Sequence, residues 1–108
     1  MLIPVTIPVP TIAGTRVAGV WAYSALRIQA IGAYLRALTT GPFTIEIREG
    51  GGTGTLIKAF TFNASGMLTT TTDEIDFFIE PEFGIRVDVT AVGTGAQNCL
   101  VTCWALLA

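Results

Sequence analysis

Apolar and polar residues alternate along most of this chain. Phe43, Ile45 and Ile47 share one parity while Thr44, Glu46 and Arg48 share the other, which is the two-residue period of a strand buried on one face. Phe83, Ile85, Val87 and Val89 repeat the pattern against Arg86, Asp88 and Thr90. Ile75, Phe77 and Ile79 repeat it against Glu74, Asp76 and Glu80, with Phe78 on the polar side as a candidate contact residue. From Cys99 to Leu107 both parities are apolar apart from Thr102, which predicts a central strand covered on both faces. The phase slips between Leu26 and Ile28 on one side and Ile31, Ala33 and Leu35 on the other, so a β-bulge is expected near Ala30 to Gly32. Turn residues gather at Thr39–Pro42, Glu49–Gly54, Asn63–Gly66 and Val92–Gly95, about one cluster per strand. Val17 to Leu26 is the least regular stretch, where Val20, Trp21 and Tyr23 favour strand over helix. Thr69 to Thr72 suits an edge strand or a loop. The pattern predicts an all-β protein, an antiparallel β-sandwich of jelly-roll-like type, in a single domain over residues 1–108.

Pro4, Pro8 and Pro10 share one parity near the N-terminus. Successive nitrogens in a strand point to opposite edges, so these prolines remove donors from one edge only. The opposite edge, carrying Ile3, Val5, Ile7 and Val9, can still pair. Residues 1–12 therefore read as an extended arm that joins a sheet edge of its own or a neighbouring subunit, or as an edge strand that proline protects from aggregation. Under the arm reading, removing Met1 to Pro10 weakens assembly and leaves the sandwich folded.

The composition is unusually apolar for a soluble chain of 108 residues, at 51% hydrophobic and 13% charged, with a mean hydropathy of +0.63. A soluble domain ordinarily carries charge on about a quarter of its residues, so part of the apolar surface is expected to face other chains. A membrane helix needs about 18 unbroken apolar residues, and the run from Val17 to Leu26 is bracketed by Arg16 and Arg27. Met1-Leu2-Ile3-Pro4 does not resemble a signal peptide. A net charge of −2 with six dispersed cations argues against gripping a nucleic-acid backbone, which calls for a basic face.

The catalytic vocabulary is sparse. Histidine, the usual proton carrier near neutral pH, is absent. Asp73, Glu74, Asp76, Glu80 and Glu82 cluster, but their alternation with core positions is that of a solvated strand face. Such a face sets carboxylates about 7 Å apart rather than converging them on calcium. Cys99 and Cys103 lie four residues apart, about 13 Å along a strand, whereas a disulfide needs Cα atoms within about 7 Å. They read as buried thiols, and zinc has no further soft ligand here. Gly50 to Gly54 reads as a hairpin tip, since no Gly-Lys-Ser/Thr ending or helix follows it. Trp21 and Trp104 are candidates for an interface, and together with Tyr23 for a sugar-stacking platform. No enzyme activity, metal or cofactor is expected.

The stretch from Ile31 to Val92 resembles small β-sandwich domains of virion proteins from tailed bacteriophages. The resemblance rests on Tyr34-Leu35-Arg36, Thr40-Gly41-Pro42-Phe43-Thr44-Ile45-Glu46-Ile47-Arg48, the Gly50–Gly52 turn, and Gly84-Ile85-Arg86-Val87-Asp88-Val89-Thr90-Ala91-Val92-Gly93. Pro81-Glu82-Phe83-Gly84 departs from the Gly-Asp turn that usually precedes the late strand in that family. The resemblance implies a module of the virion, made in the host cytoplasm, that decorates or cements capsids or builds necks, tails or fibres. It implies partnership with a major capsid protein or a tail or fibre protein, and a homo-oligomer, often a trimer. The interface candidates are Ile3, Val5, Ile7, Val9, Trp21, Phe78 and Trp104. A carbohydrate-binding module is the alternative from another class, and a calcium-dependent adhesin a weaker one.

Overall fold

The computed structural model describes Leu2 to Leu107. These residues form β1 (Ile3–Val9), β2 (Gly14–Val20), β3 (Leu26–Ala37), β4 (Phe43–Glu49), β5 (Leu56–Phe62), β6 (Gly66–Thr69), β7 (Phe77–Ile79), β8 (Ile85–Ala91) and β9 (Gln97–Leu107), with no helix among them. One sheet runs β1-β9-β3-β6, with β7 beside the first residues of β3; the other runs β2-β8-β4-β5. All pairings are antiparallel. The chain passes from one sheet to the other between β1 and β2, β2 and β3, β3 and β4, β5 and β6, β7 and β8, and β8 and β9, which is the jelly-roll path of a two-sheet sandwich.

Alternation decides which side chains fill the core. β4 buries Phe43, Ile45, Ile47 and Glu49 while Thr44, Glu46 and Arg48 stay half-buried on the outside. Facing them across the sandwich are Ile28, Ile31, Leu35 and Val101 of the first sheet, and all four are fully buried. The four turn clusters read from the sequence fall between β3 and β4, β4 and β5, β5 and β6, and β8 and β9. The departure at Pro81–Gly84 is also accommodated. Glu82 and Gly84 both take positive φ, at 70° and 66°, and a Cβ on Gly84 would lie 2.3 Å from the Val20 carbonyl oxygen, so only glycine fits there.

Several local expectations shift. The β3 bulge lies between Ile28 and Ala30, slightly earlier than the phase slip suggests, because Gln29 is the residue left over as the register with β9 moves from Ile28↔Ala105 to Ala30↔Trp104. Strand β2 stops at Val20, so Trp21 and Tyr23 lie in the connection to β3. Strand β7 covers only Phe77 to Ile79, and Glu74 and Asp76 precede it instead of lining its outer face. β9 is central in its sheet, as its composition predicts, but only one face is covered: Cys99, Val101, Cys103 and Ala105 are buried while the alternate side chains look outward.

The N-terminal segment forms an edge strand on its own chain's sheet, one of the readings its prolines allow, but the structure corrects the choice of contact residues on it. β1 pairs with β9 of its own chain from Ile3↔Ala105 to Val9↔Cys99. Ile7 and Val9 are buried in the core and Val5 packs against it, which removes these three as interface residues; Ile3 stays exposed. Since the prolines cannot donate, the odd residues supply the ladder to β9, and the outer edge of β1 retains one donor, Thr6, between Pro4 and Pro8. Removing the residues up to Pro10 therefore opens the core and bares β9, so the sandwich is not expected to survive intact. The single substitution Ile7→Ala should cost about 2–4 kcal/mol in urea unfolding, and a midpoint within error of the parent would show that β1 does not hold the core closed.

Candidate functional site

The two outer faces of the sandwich differ in chemistry. On the β2-β8-β4-β5 sheet, Asp88 of β8 points outward yet is only 4% exposed, because arginines close over it. Its Oδ1 accepts a hydrogen bond from the Arg16 backbone N–H at 2.8 Å, and its Oδ2 accepts one from Arg86 at 3.3 Å. Arg48 lies 3.6 Å from the same carboxylate and 2.9 Å from Glu46. Arg86 Nε sits 3.3 Å from Asp88 Oδ1, an ion-pair distance without hydrogen-bond alignment. Arg16 has φ of 52°, in the irregular stretch where β2 slips register against β8, so Asp88 pins that bulge. This face is polar and cross-linked by ion pairs.

The outer face of the β1-β9-β3-β6 sheet is apolar. Cross-strand partners share a face, so the register assembles rows. Pro8, Leu100, Tyr34 and Met67 form one row. Thr6, Thr102, Gly32 and Thr69 form the next, with the Thr6 and Thr102 hydroxyls 3.4 Å apart. Pro4, Trp104 and Ala30 form a third, and Leu106, Arg27 and Phe78 a fourth. Tyr34 is 38% exposed, Leu100 39% and Met67 66%. The Trp104 ring leans over Gly32, where a Cβ would meet it at 3.4 Å, so the half-buried indole lies along the sheet. Beside the first row a groove of about 650 Å³ runs over Leu100 between Pro8 and Pro10 on one side and Tyr34 and Arg36 on the other. The strands contribute only two charges to this face. Arg27 pairs with Asp76 at 3.1 Å and stacks 5.7 Å from the Phe78 ring centroid, and Arg36 stands at the opposite end of β3.

The predicted contact residues divide accordingly. Trp104 and Phe78 belong to the apolar face, whereas Ile3 pairs with buried Ala105 and so shares the inward parity, exposed at the end of the edge strand. Trp21 is 55% exposed but sits elsewhere, beside a cleft of about 530 Å³ with Arg16, Gly50, Glu82 and Phe83. Its ring meets Tyr23 at 4.2 Å and 65°, edge to face, so the pair offers a sugar no shared plane. Tyr34, Met67, Leu100 and Leu106 escaped sequence reading. The available signal was the doubly apolar Cys99–Leu107 run, whose outer parity marks this face rather than a second core. Among the described residues no group of three His, Cys, Asp or Glu side chains is placed to hold a metal.

No family model matches the chain, and no curated protein does. Solved structures align with it at low identity. A Bacillus endospore appendage, from a family of disulfide-linked pili, shares 16% identity over 98% of this chain and 86% of its own, with a TM-score of 0.37. The VP2 subviral particle of infectious bursal disease virus shares 15% over 95% of this chain, with a TM-score of 0.36, and the chain spans only 32% of that protein. A family 6 carbohydrate-binding module shares 15% over 94% and 80%, with a TM-score of 0.42.

Cys99 and Cys103 are free and point into the core from β9. Burial away from water disfavours the thiolate and pushes Cys99 up to about 11 and Cys103 up to about 12, from an ordinary 9.0. A raised folded value means that the unfolded chain loses these protons first. The contribution to stability is then whole below pH 9 and falls as pH climbs towards 11. A thiol reagent at pH 8 should leave both cysteines unmodified until denaturant is added, and the loss of stability above pH 9 should be shallower in a Cys99→Ala/Cys103→Ala chain. Rapid native labelling would contradict this burial. On the other sheet, Asp88→Ala should cost about 2–3 kcal/mol in urea unfolding, the value of hydrogen bonds to charged groups lost with their partners partly exposed.

Proposed function

We propose that this chain is a non-enzymatic structural protein of a bacteriophage virion, a capsid decoration or cement protein, that attaches to other virion proteins through the outer face of its β1-β9-β3-β6 sheet. The observation that carries the reading is the apolar surface made by Tyr34, Leu100, Met67, Trp104 and Phe78 on one side of the sandwich, against a polar, ion-paired surface on the other. A monomer in water gains nothing from leaving such a face open, while a protein that coats a shell gains by covering it. The phage-like strand motifs around Phe43–Arg48 and Gly84–Gly93 point to the same class of assembly. A tail, neck or fibre component would use the face in the same way.

The mechanism is burial rather than chemistry. Covering apolar surface contributes about 25 cal/mol per Å², and the molecule measures 40 × 25 × 18 Å, so its broad face is comparable with the ~800 Å² that each partner of a standard interface contributes. Strand addition at β1 contributes less to this picture, since proline leaves its outer edge poor in donors. The carbohydrate-binding alternative rests on Trp21, Tyr23 or Trp104: the first two have crossed rings, and the third is half-buried on the sheet with no second aromatic ring stacked beside it.

The test compares the parent with Leu100→Glu by light scattering and by a dye that fluoresces on apolar surfaces. The parent should self-associate or bind the dye, and the variant should do neither while melting within a few degrees of it. A parent that stays monomeric and leaves the dye dark would contradict the reading.

A further inference from the structure

We propose that the cleft beside Trp21 binds a single sugar residue that carries a carboxylate, such as a uronic acid. The site lies away from the apolar face and does not depend on what covers that face. Three segments bound it: the β2 bulge at Arg16, the glycine-rich tip after β4, and the Glu82–Phe83 turn before β8. Its volume of about 530 Å³ is that of a small-molecule pocket. Hydrogen bonds fix the three segments before any ligand arrives. The Glu82 N–H donates to the Ala22 carbonyl at 3.0 Å, the Gly50 N–H to the Gly84 carbonyl at 2.9 Å, and the Arg16 guanidinium to the Gly50 carbonyl at 2.7 Å. The tip rests on Phe83, since a Cβ on Gly51 or Gly52 would come within 2.9 or 2.8 Å of that ring. Among the described residues three non-glycine positions take positive φ, and two of them, Arg16 at 52° and Glu82 at 70°, line this cleft. Such conformations persist only where the surroundings hold them, and they gather at binding sites.

The charges select an anion. Arg16, Arg48 and Arg86 share two carboxylates on this side of the sandwich, Asp88 and Glu46. The guanidinium left over is that of Arg16, which makes no ion pair among the described residues and gives one N–H to a neutral carbonyl. Its remaining donors suit a carboxylate, which a guanidinium holds through two parallel bonds. Glu82 carries a like charge on the cleft wall and so turns a ligand's carboxylate towards Arg16. Trp21 supplies the apolar contact. It is 55% exposed and crosses Tyr23 edge to face, so one pyranose ring can stack on it while a flat chain cannot. An acidic peptide would need a straight strand edge beside Arg16, and β2 is bulged there. The cleft belongs to the β2-β8-β4-β5 side, so a molecule held through its other sheet keeps it open to solvent.

The experiment is an NMR titration that follows the two indole N–H signals separately. The probes are methyl β-glucuronide, methyl α-galacturonide and N-acetylneuraminic acid, with methyl β-glucoside as the neutral control and a capped tripeptide with a central aspartate as the acidic one. At least one carboxylated sugar should move the Trp21 signal saturably, with a Kd of about 1–10 mM, and leave the Trp104 signal on the other sheet in place. The glucoside should bind about tenfold more weakly or worse, and Arg16→Gln should reduce the acidic sugar to the glucoside's affinity. Trp21→Ala, read through the amide signals of Gly50 to Gly52, should abolish binding. Melting curves confirm that both variants are folded. No movement of Trp21 with any of the three acids at about 50 mM, movement of Trp104 in its place, or equal binding of the glucoside overturns the proposal. Binding of the tripeptide as tight as that of the sugars overturns the sugar as ligand and assigns the cleft to an acidic protein segment. None of these outcomes alters the light-scattering and dye result on the apolar face, so the two readings fail separately.

Discussion

The pairing of β3 with β9 is the constraint on which the rest of the structure depends. These are the two longest strands, and they run together from Leu26↔Leu107 to Ala37↔Gln97. Their shared pleat puts Ile28, Ile31, Leu35, Val101 and Cys103 inside. Once that parity is set, Leu100, Trp104, Tyr34 and Leu106 have nowhere to go but out. The Gln29 bulge preserves the arrangement: without an extra residue, the apolar set Ile31, Ala33 and Leu35 would turn to solvent. The exposed apolar face is thus a consequence of the same register that builds the core. It cannot be removed by sliding a strand, only by changing side chains.

The second sheet shows what an ordinary outer face looks like in this fold. There Asp88, Arg86, Arg48 and Glu46 form an ion-pair network that anchors the Arg16 bulge. Partial exposure of the arginines keeps this network from bearing the full desolvation cost of buried charge. Both sheets bury one face on a common core with similar aliphatic side chains, yet one outer face is ion-paired and the other is largely apolar, broken by its threonine row, Arg27 and Arg36. Edge geometry adds to the asymmetry. Pro4 and Pro8 blunt β1 against strand addition while placing apolar rings at the border of the open face, so the edge is closed and the face is left available.

Strict alternation made much of the fold legible in the sequence. Phe43–Arg48 and Ile85–Thr90 gave their strands and their inward residues, and the glycine and proline clusters gave the hairpin turns. The doubly apolar Cys99–Leu107 run gave a central strand but the wrong burial, because composition cannot distinguish a second buried layer from a face left open to another chain. The N-terminal prolines gave the correct parity without the partner strand: pairing with β9 depends on long-range register, and nothing local in Ile3–Val9 encodes it. Phe78 and Trp104, singled out in the sequence, both fall on the apolar face. Met67 and Tyr34 were not singled out as contacts, since each joins the face only through a neighbour more than thirty residues away in sequence. Trp21 was noticed for its size, but the chain turns away from the sheet after Val20 and carries it to another surface.

The central claim is that the outer face of the β1-β9-β3-β6 sheet is covered by protein when the molecule assembles. Hydroxyl-radical footprinting read by mass spectrometry at micromolar and near-millimolar concentration tests it residue by residue. Met67 and Tyr34 should lose reactivity as concentration rises, while Trp21 and Tyr23, exposed on a different surface, should not change. Equal reactivity of Met67 and Tyr34 at both concentrations, or protection of Trp21 and Tyr23 in their place, would contradict the account.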